Sequence, residues 1–138
     1  MTQLYSTTSS VIGARNGTGK LSDSAQTFNL TSPGSGKDGV NPEQLFAVGY
    51  GACFDGALGL VKKAEGANFD SEVQVMVNLN KAGDANFFLS GNIHVIASNT
   101  DIDADTLASI VEKTHQICPY SKAIAGNVEM TLSSEIKA

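Results

Sequence analysis

Basic residues are scarce in this chain. Nine lysines and arginines stand against fourteen aspartates and glutamates, a formal net charge of −5. That balance argues against nucleic acid or an anionic membrane as the main partner, because little basic surface is available to neutralise phosphates. The opening residues, MTQLYSTTSS, lack the basic start and apolar core of a secretory signal, which leaves the cytoplasm as the expected location. Cysteines number two and histidines two, at 53, 118, 94 and 115. A closed zinc site takes four ligands, commonly in two close pairs, and His115 with Cys118 makes only one loose pair, so no metal is expected. His94 and His115 read as surface or hydrogen-bonded groups. In a reducing compartment two cysteines point to inert core thiols or redox chemistry before a structural disulfide. A working phosphate loop is missing too. GARNGTGK places Ala14 where the first glycine is needed and Leu21 where Ser or Thr is required. There are no repeats, low-complexity runs or linkers, and 41% hydrophobic content suits a chain of 138 residues folding as one domain, 1–138.

What is present in quantity is one apolar stretch, NPEQLFAVGYGACFDGALGLVKK, residues 41–63. Asn41 suits a helix N-cap, Pro42 and Glu43 the first turn, Lys62 and Lys63 the last, and Gly66 the stop. Between Leu45 and Val61 the ionisable groups are Tyr50, Cys53 and Asp55 alone. A helix this apolar belongs inside a protein or a membrane. It is short for a span and carries glycines at 49, 51, 56 and 59, so a buried central helix is expected. Each glycine weakens an isolated helix by roughly 1 kcal/mol relative to alanine. Close approach of another backbone would account for them.

Around this helix the patterns are mostly of strand type. Residues 2–14 read as a strand, Asn16-Gly17 as a tight hairpin turn, and residues 20–30 as its partner. Arg15 then sits at a hairpin tip, where a solvated charge is the plain reading. Residues 31–40, TSPGSGKDGV, form a loop into the helix. Residues 71–81 alternate as a half-buried strand, and the turn 83–86 leads to an antiparallel partner over 87–98. Asp103 caps a helix over 104–116, with Leu107, Ile110, Val111 and Thr114 as its inward stripe. Pro119 interrupts it and opens a short further helix, with Gly126 past its end; residues 127–136 alternate as a last strand. The order ββ-α-ββ-α-β is α+β, a mainly antiparallel sheet packed around the long central helix.

Locally, the two thiols have opposite outlooks. Cys118 falls at the N-cap of the helix that Pro119 opens, where the helix dipole favours a thiolate and Lys122 lies a turn away. Cys53 is mid-helix with apolar neighbours, so loss of water raises its pKa, and it needs a cation brought from elsewhere.

NPEQLFAVGYGACF together with HQICPYSKA, and the GARNG hairpin ahead of them, resembles the organic hydroperoxide resistance family, the Ohr branch of the Ohr/OsmC superfamily. The resemblance covers nearly the whole chain. It implies an OsmC-like fold and a thiol peroxidase that reduces organic hydroperoxides with no bound cofactor or metal. It implies Cys53 as the peroxidatic thiol, Cys118 as the resolving thiol, Arg15 and Glu43 as the activating pair, and a Cys53–Cys118 disulfide reopened by an external dithiol, the lipoyl group of a lipoylated protein. On that footing Phe46, Tyr50, Phe54, Phe87, Phe88 and Tyr120 are candidate walls of an apolar substrate pocket, although aromatics at such spacing also serve as plain core. Glu43 and Cys53 lie ten residues apart, about 15 Å along a straight helix. Either the helix bends or Glu43 serves the thiol of a second subunit, hence an expected homodimer with sites shared across the interface. An OsmC-type peroxidase, a thiol redox sensor or binding protein without turnover, and a non-enzymatic dimer with inert thiols remain as alternatives.

Overall fold

A computed structural model describes residues 1–138, which divide into two compact units, Met1–Leu45 and Phe46–Ala138. The first carries a three-stranded antiparallel sheet in the order β1 (Ser9–Ile12), β2 (Thr18–Leu21), β3 (Thr27–Asn29). The hairpin expected at Asn16-Gly17 is there, with a wider turn than two residues. Ile12 pairs with Thr18, and a single 3-10 turn, Ala14–Asn16, lies between them. Gly13 enters this turn at φ 88°, and a side chain on Gly17 would place its Cβ 1.7 Å from the Ile12 carbonyl oxygen. Only glycine permits that approach. The strand expected over 2–14 is confined to four residues, and the one over 20–30 is broken into β2 and β3. The polar run Ser22–Ala25 is the reason. The Thr8 amide donates to Ser22 Oγ, while the Tyr5 and Thr7 hydroxyls donate to the Asp23 carboxylate. These side-chain bonds compete with a continuous ladder.

Helix α1 (Pro42–Glu65) starts where its caps predict. The Gln44 amide donates to Asn41 Oδ1 at 2.8 Å, and the Asn41 amide donates back to Gln44 Oε1 at 2.8 Å. This reciprocal pair satisfies two amides that the helix itself leaves unpaired. Glu43 occupies the first turn, Lys62 and Lys63 the last, and Gly66 follows at φ 66°.

The second unit holds a sheet in the order β4 (Asp70–Lys81), β5 (Phe87–Ser98), β6 (Glu129–Ile136). β4 and β5 pair antiparallel along their whole length, Asp70 with Ser98 through Lys81 with Phe87. β6 runs parallel to β5, Ser90 with Glu129 through Ala97 with Ile136. Helices α2 (Ala104–Ile117) and α3 (Pro119–Ile124) form the crossover that a parallel pair requires. Asp103 caps α2 by accepting from the Thr106 amide, and Leu107, Ile110, Val111 and Thr114 are its buried stripe. The core joins Tyr50, Phe54, Ala57, Leu58 and Val61 of α1 to Ile93, Val95 and Ala97 of β5 and the apolar residues of the α2 stripe. The α1 positions recur at three and four residues, one face of a 3.6-residue period.

Burial of α1 is narrower than its composition predicts. Val48 remains 73% exposed and Leu60 66%, and a side chain at Gly56 or Gly59 would meet no atom within 4 Å. At 24 residues it is also long and apolar enough to cross a membrane, contrary to the reading of it as too short. Its role as a core helix rests on the stripe that it contributes to the cluster with β5 and α2.

The caps supply a stability test. Asn41→Ala removes an N-cap acceptor and should cost about 0.5–2 kcal/mol, read as a lower urea midpoint with an unchanged slope.

Candidate active site

Pro119 disfavours helical backbone at the residue before it, so α2 ends and α3 begins on a single extended residue, Cys118, at φ −61° and ψ 124°. This pivot turns a buried thiol toward the middle of α1. The Cys118 thiol points at the Cys53 sulfur with 3.7 Å between the two. Both are free thiols, Cys53 half-buried and Cys118 buried. A disulfide bond measures about 2.05 Å, so closure needs a short contraction rather than a refolding of either element.

The Cys118 side chain makes no capping bond to α3. The backbone amide of Tyr120, one residue into that helix, instead favours a Cys53 thiolate. The helix start that the sequence offers to Cys118 thus serves Cys53. Burial still pushes the Cys53 thiol above the ordinary cysteine range; the Tyr120 amide draws it down, and the neighbouring Cys118 thiol adds to the rise. The expectation that desolvation opposes a Cys53 thiolate holds.

Aromatic rings enclose this end of α1. Phe46 meets Tyr50 edge-on with centroids 5.8 Å apart, and Tyr120 lies 6.3 Å from Phe46 and 5.7 Å from Tyr50. A Cβ at Gly49 would stand 3.1 Å from the Tyr120 hydroxyl, so a small residue there lets the ring lie against α1. The Tyr50 phenol is pushed up by burial, lowered by its hydrogen bond to Ser121, and raised again by the charge that either cysteine can carry. Its oxygen is 2.6 Å from Ser121 Oγ, which is 2.8 Å from His115 Nδ1. Sequence reading passed over Ser121. The available signal was spacing: Tyr50 precedes Cys53 by three residues, and Ser121 follows Cys118 by three.

The other expected pocket residues go elsewhere. Phe54 is fully buried within the core cluster. Phe87 and Phe88 are exposed at the start of β5, beside the hairpin turn, with the Lys81 ammonium 5.5 Å from the Phe87 ring centre. His94 bonds to Ser133 and Glu135, and His115 to Ser121, as hydrogen-bonded histidines should. A cleft of about 740 Å³ lies along the open face of α1, bordered by Val48, Ala52, Asp55, Gly56, Val73 and Val75; neither cysteine lines it.

In the amino-terminal unit, Arg15 is not the free charge that its hairpin position predicts. Its guanidinium grips Glu43 through two parallel bonds, Nη1 to Oε2 at 2.8 Å and Nη2 to Oε1 at 2.6 Å. Arg15 remains 43% exposed and Glu43 15%. The fork of donors matches the carboxylate plane and fixes the guanidinium's orientation. The bond to Arg15 holds the Glu43 carboxyl below the usual glutamate range, against the opposing effect of burial, and the bond to Glu43 raises the Arg15 pKa.

Residues 34–133 match the model of the OsmC-like protein family. The chain is 38% identical over 135 residues to organic hydroperoxide resistance protein OhrA of Bacillus subtilis, covering 94% of each chain. It is 41% identical over 138 residues to organic hydroperoxide resistance protein-like 2 of Staphylococcus epidermidis, again 94% of each. The crystal structure of OhrB of Bacillus subtilis superposes with a TM-score of 0.88 at 36% identity, covering 96% of this chain and all of that one.

A depressed carboxyl gives stability that is present above the ordinary glutamate pKa of about 4.3 and is lost as pH falls through the folded-state value. Wild type should therefore lose stability toward acid more steeply than Glu43→Gln, in denaturant titrations repeated from neutral pH downward. Carboxyl NMR should show Glu43 titrating below the ordinary range, and returning toward it in Arg15→Met.

Proposed function

The chain belongs to the OsmC-like family, in its organic hydroperoxide resistance branch, and we propose that it is a thiol peroxidase reducing organic hydroperoxides to alcohols. The observation that carries this reading is the 3.7 Å contact between two free sulfurs, one of them half-open beside aromatic rings. Cys53 is the attacking thiolate. It displaces on the peroxide O–O bond, an S–O bond forms, and the alkoxide leaves and takes a proton to become the alcohol. The Cys118 thiol then attacks the Cys53 sulfenic acid, forming the disulfide and releasing water. An external dithiol, with lipoyl as the preferred class, reopens the disulfide by exchange and leaves as its own cyclic disulfide. No bound cofactor takes part in this cycle, and free thiols suit a reducing compartment such as the cytoplasm.

Arg15 supplies the cation that Cys53 lacks, oriented by Glu43. Two unit charges about 4 Å apart at an effective dielectric near 20 attract by about 4 kcal/mol, on the order of three pKa units. Even a fraction of that offsets a burial-raised thiol. The same guanidinium stabilises charge on the departing alkoxide. Because Glu43 and Cys53 are ten residues apart on one helix, about 15 Å along its axis, the pair serves the thiol of a second subunit. The open α1 face with Gly56 and Gly59 fits close packing of that subunit, so the working form is a two-fold homodimer of single-domain chains. Phe46 and Tyr120 give the entrance an apolar lining, which favours alkyl or fatty-acyl hydroperoxides over hydrogen peroxide.

Steady-state assays with a dithiol should show organic hydroperoxide consumption at least tenfold faster than that of hydrogen peroxide. Cys53→Ser should abolish consumption. Cys118→Ser should retain one turnover and then accumulate sulfinic Cys53 by mass. Equal activity in Cys53→Ser would sink the peroxidase reading, and oxidation to a disulfide without turnover would favour a redox sensor.

Arg15→Met, in a Cys118→Ser background, should raise the Cys53 pKa followed by thiolate absorbance. It should also slow attack on cumene hydroperoxide by about 10²–10³-fold. Sedimentation of a fully active monomer would overturn the shared site.

A further inference from the structure

One helical turn away from the thiol contact, the same two helices meet a second time. Tyr50 and Cys53 share a face of α1, and Ser121 of α3 follows the N-cap residue Cys118, each pair three residues apart. The two sulfurs are 3.7 Å apart and the two hydroxyl oxygens 2.6 Å apart. Ser121 is also bonded to His115 on the last turn of α2. A serine hydroxyl donates once and accepts twice, so this one group satisfies both neighbours.

Beside this bridge, helix α3 is held to α1 by the Tyr120 ring against Phe46 and Tyr50. Six residues are too few for a helix to persist on its own hydrogen bonds. Its one buried residue is Ser121, with Ile124 packed at the core's edge. An apolar side chain at position 121 would slide; a hydroxyl bonded on two sides has one geometry.

We infer that the Tyr50–Ser121 hydroxyl bridge, anchored by His115, is a positioning clamp that holds Cys118 against Cys53 for disulfide closure. The inference rests on the peroxidase reading above. Closure is unimolecular: the Cys118 sulfur bonds to the Cys53 sulfur, and the sulfenic oxygen leaves as water with the Cys118 proton. Overoxidation is bimolecular, a second hydroperoxide adding oxygen to the same sulfur. Holding the thiol in place raises its effective concentration at the sulfenic acid, so closure wins at higher peroxide concentrations. Tyr50, Ser121 and His115 act through Cys118 and take no part in the first attack.

The test uses the full chain in two variants, Ser121→Ala and Ser121→Ala with Tyr50→Phe. With excess cumene hydroperoxide, Ser121→Ala should lose its Cys53 thiol at the wild-type rate but close the disulfide about tenfold more slowly. Sulfinic Cys53 should then appear by mass at concentrations where wild type gives disulfide alone. In glutathione redox buffers without hydroperoxide, its disulfide should be about tenfold less favoured, a potential shift of about 30 mV toward easier reduction. The double variant removes both hydroxyls and leaves no orphaned buried phenol, so it keeps the test open should the single variant fold poorly. Its disulfide equilibrium should match that of the single variant rather than adding to it. Wild-type closure and wild-type redox equilibrium in both variants would overturn the clamp. So would an equal fall in attack and closure, which marks general loosening. Absence of hydroperoxide attack in wild type strikes the peroxidase reading instead, and the redox-buffer equilibrium still decides the clamp.

Discussion

The middle of α1 and the start of α3 touch through two sulfurs 65 residues apart in sequence, and the carboxy-terminal unit is arranged to keep them in contact. The α1 stripe fixes the helix against β5 and α2. The Asp103 cap fixes where α2 begins, and the buried stripe fixes how it packs. Pro119 then makes Cys118 the single extended residue between two helices. Each of these features is ordinary alone. Together they place a flexible, oxidisable group at a defined end of a rigid element, so the reactive geometry depends on packed helices rather than on a loop.

The surroundings that make this contact useful also oppose its chemistry. Partial burial weakens the hydration of a Cys53 thiolate, and its pKa is accordingly raised. One backbone amide at the start of α3 is a partial answer. In the proposed mechanism the rest comes from a guanidinium whose direction is set in advance by a bidentate carboxylate. A lone exposed arginine would sample many rotamers, and tying it to Glu43 removes most of that freedom before any substrate arrives.

Much of this was legible in the residues. The capped start of α1 at Asn41, the strand over 87–98, the α2 stripe and the helix reopened at Pro119 all follow from local signals, and all are present. The family was legible from two cysteine contexts. Three features were not. The break between β2 and β3 depends on Asp23 bonding to Tyr5 and Thr7, partners 16 and 18 residues away. The parallel pairing of β6 is a matter of topology that alternation cannot reveal. The Tyr50–Ser121 bond joins residues 71 apart, and neither looks unusual in its own neighbourhood. Local pattern also overstated the burial of α1, because apolar composition does not say whether the covering surface belongs to the same chain. The Arg15–Glu43 pair was legible only through the family resemblance, since on local grounds a hairpin-tip arginine reads as solvated.

The parallel alignment of β6 with β5 bears on when the chain becomes competent during its own synthesis. That alignment joins Ser90 to Glu129 across a crossover containing both later helices, whereas the β4–β5 hairpin closes over only a few residues. Contacts of long sequence separation carry the larger loop-closure cost and order late. Cys118 lies inside that crossover and Cys53 on a helix synthesised earlier, so Cys53 has no sulfur partner until residue 118 has been made and the crossover has folded. A product that stops before residue 118 carries Cys53 alone.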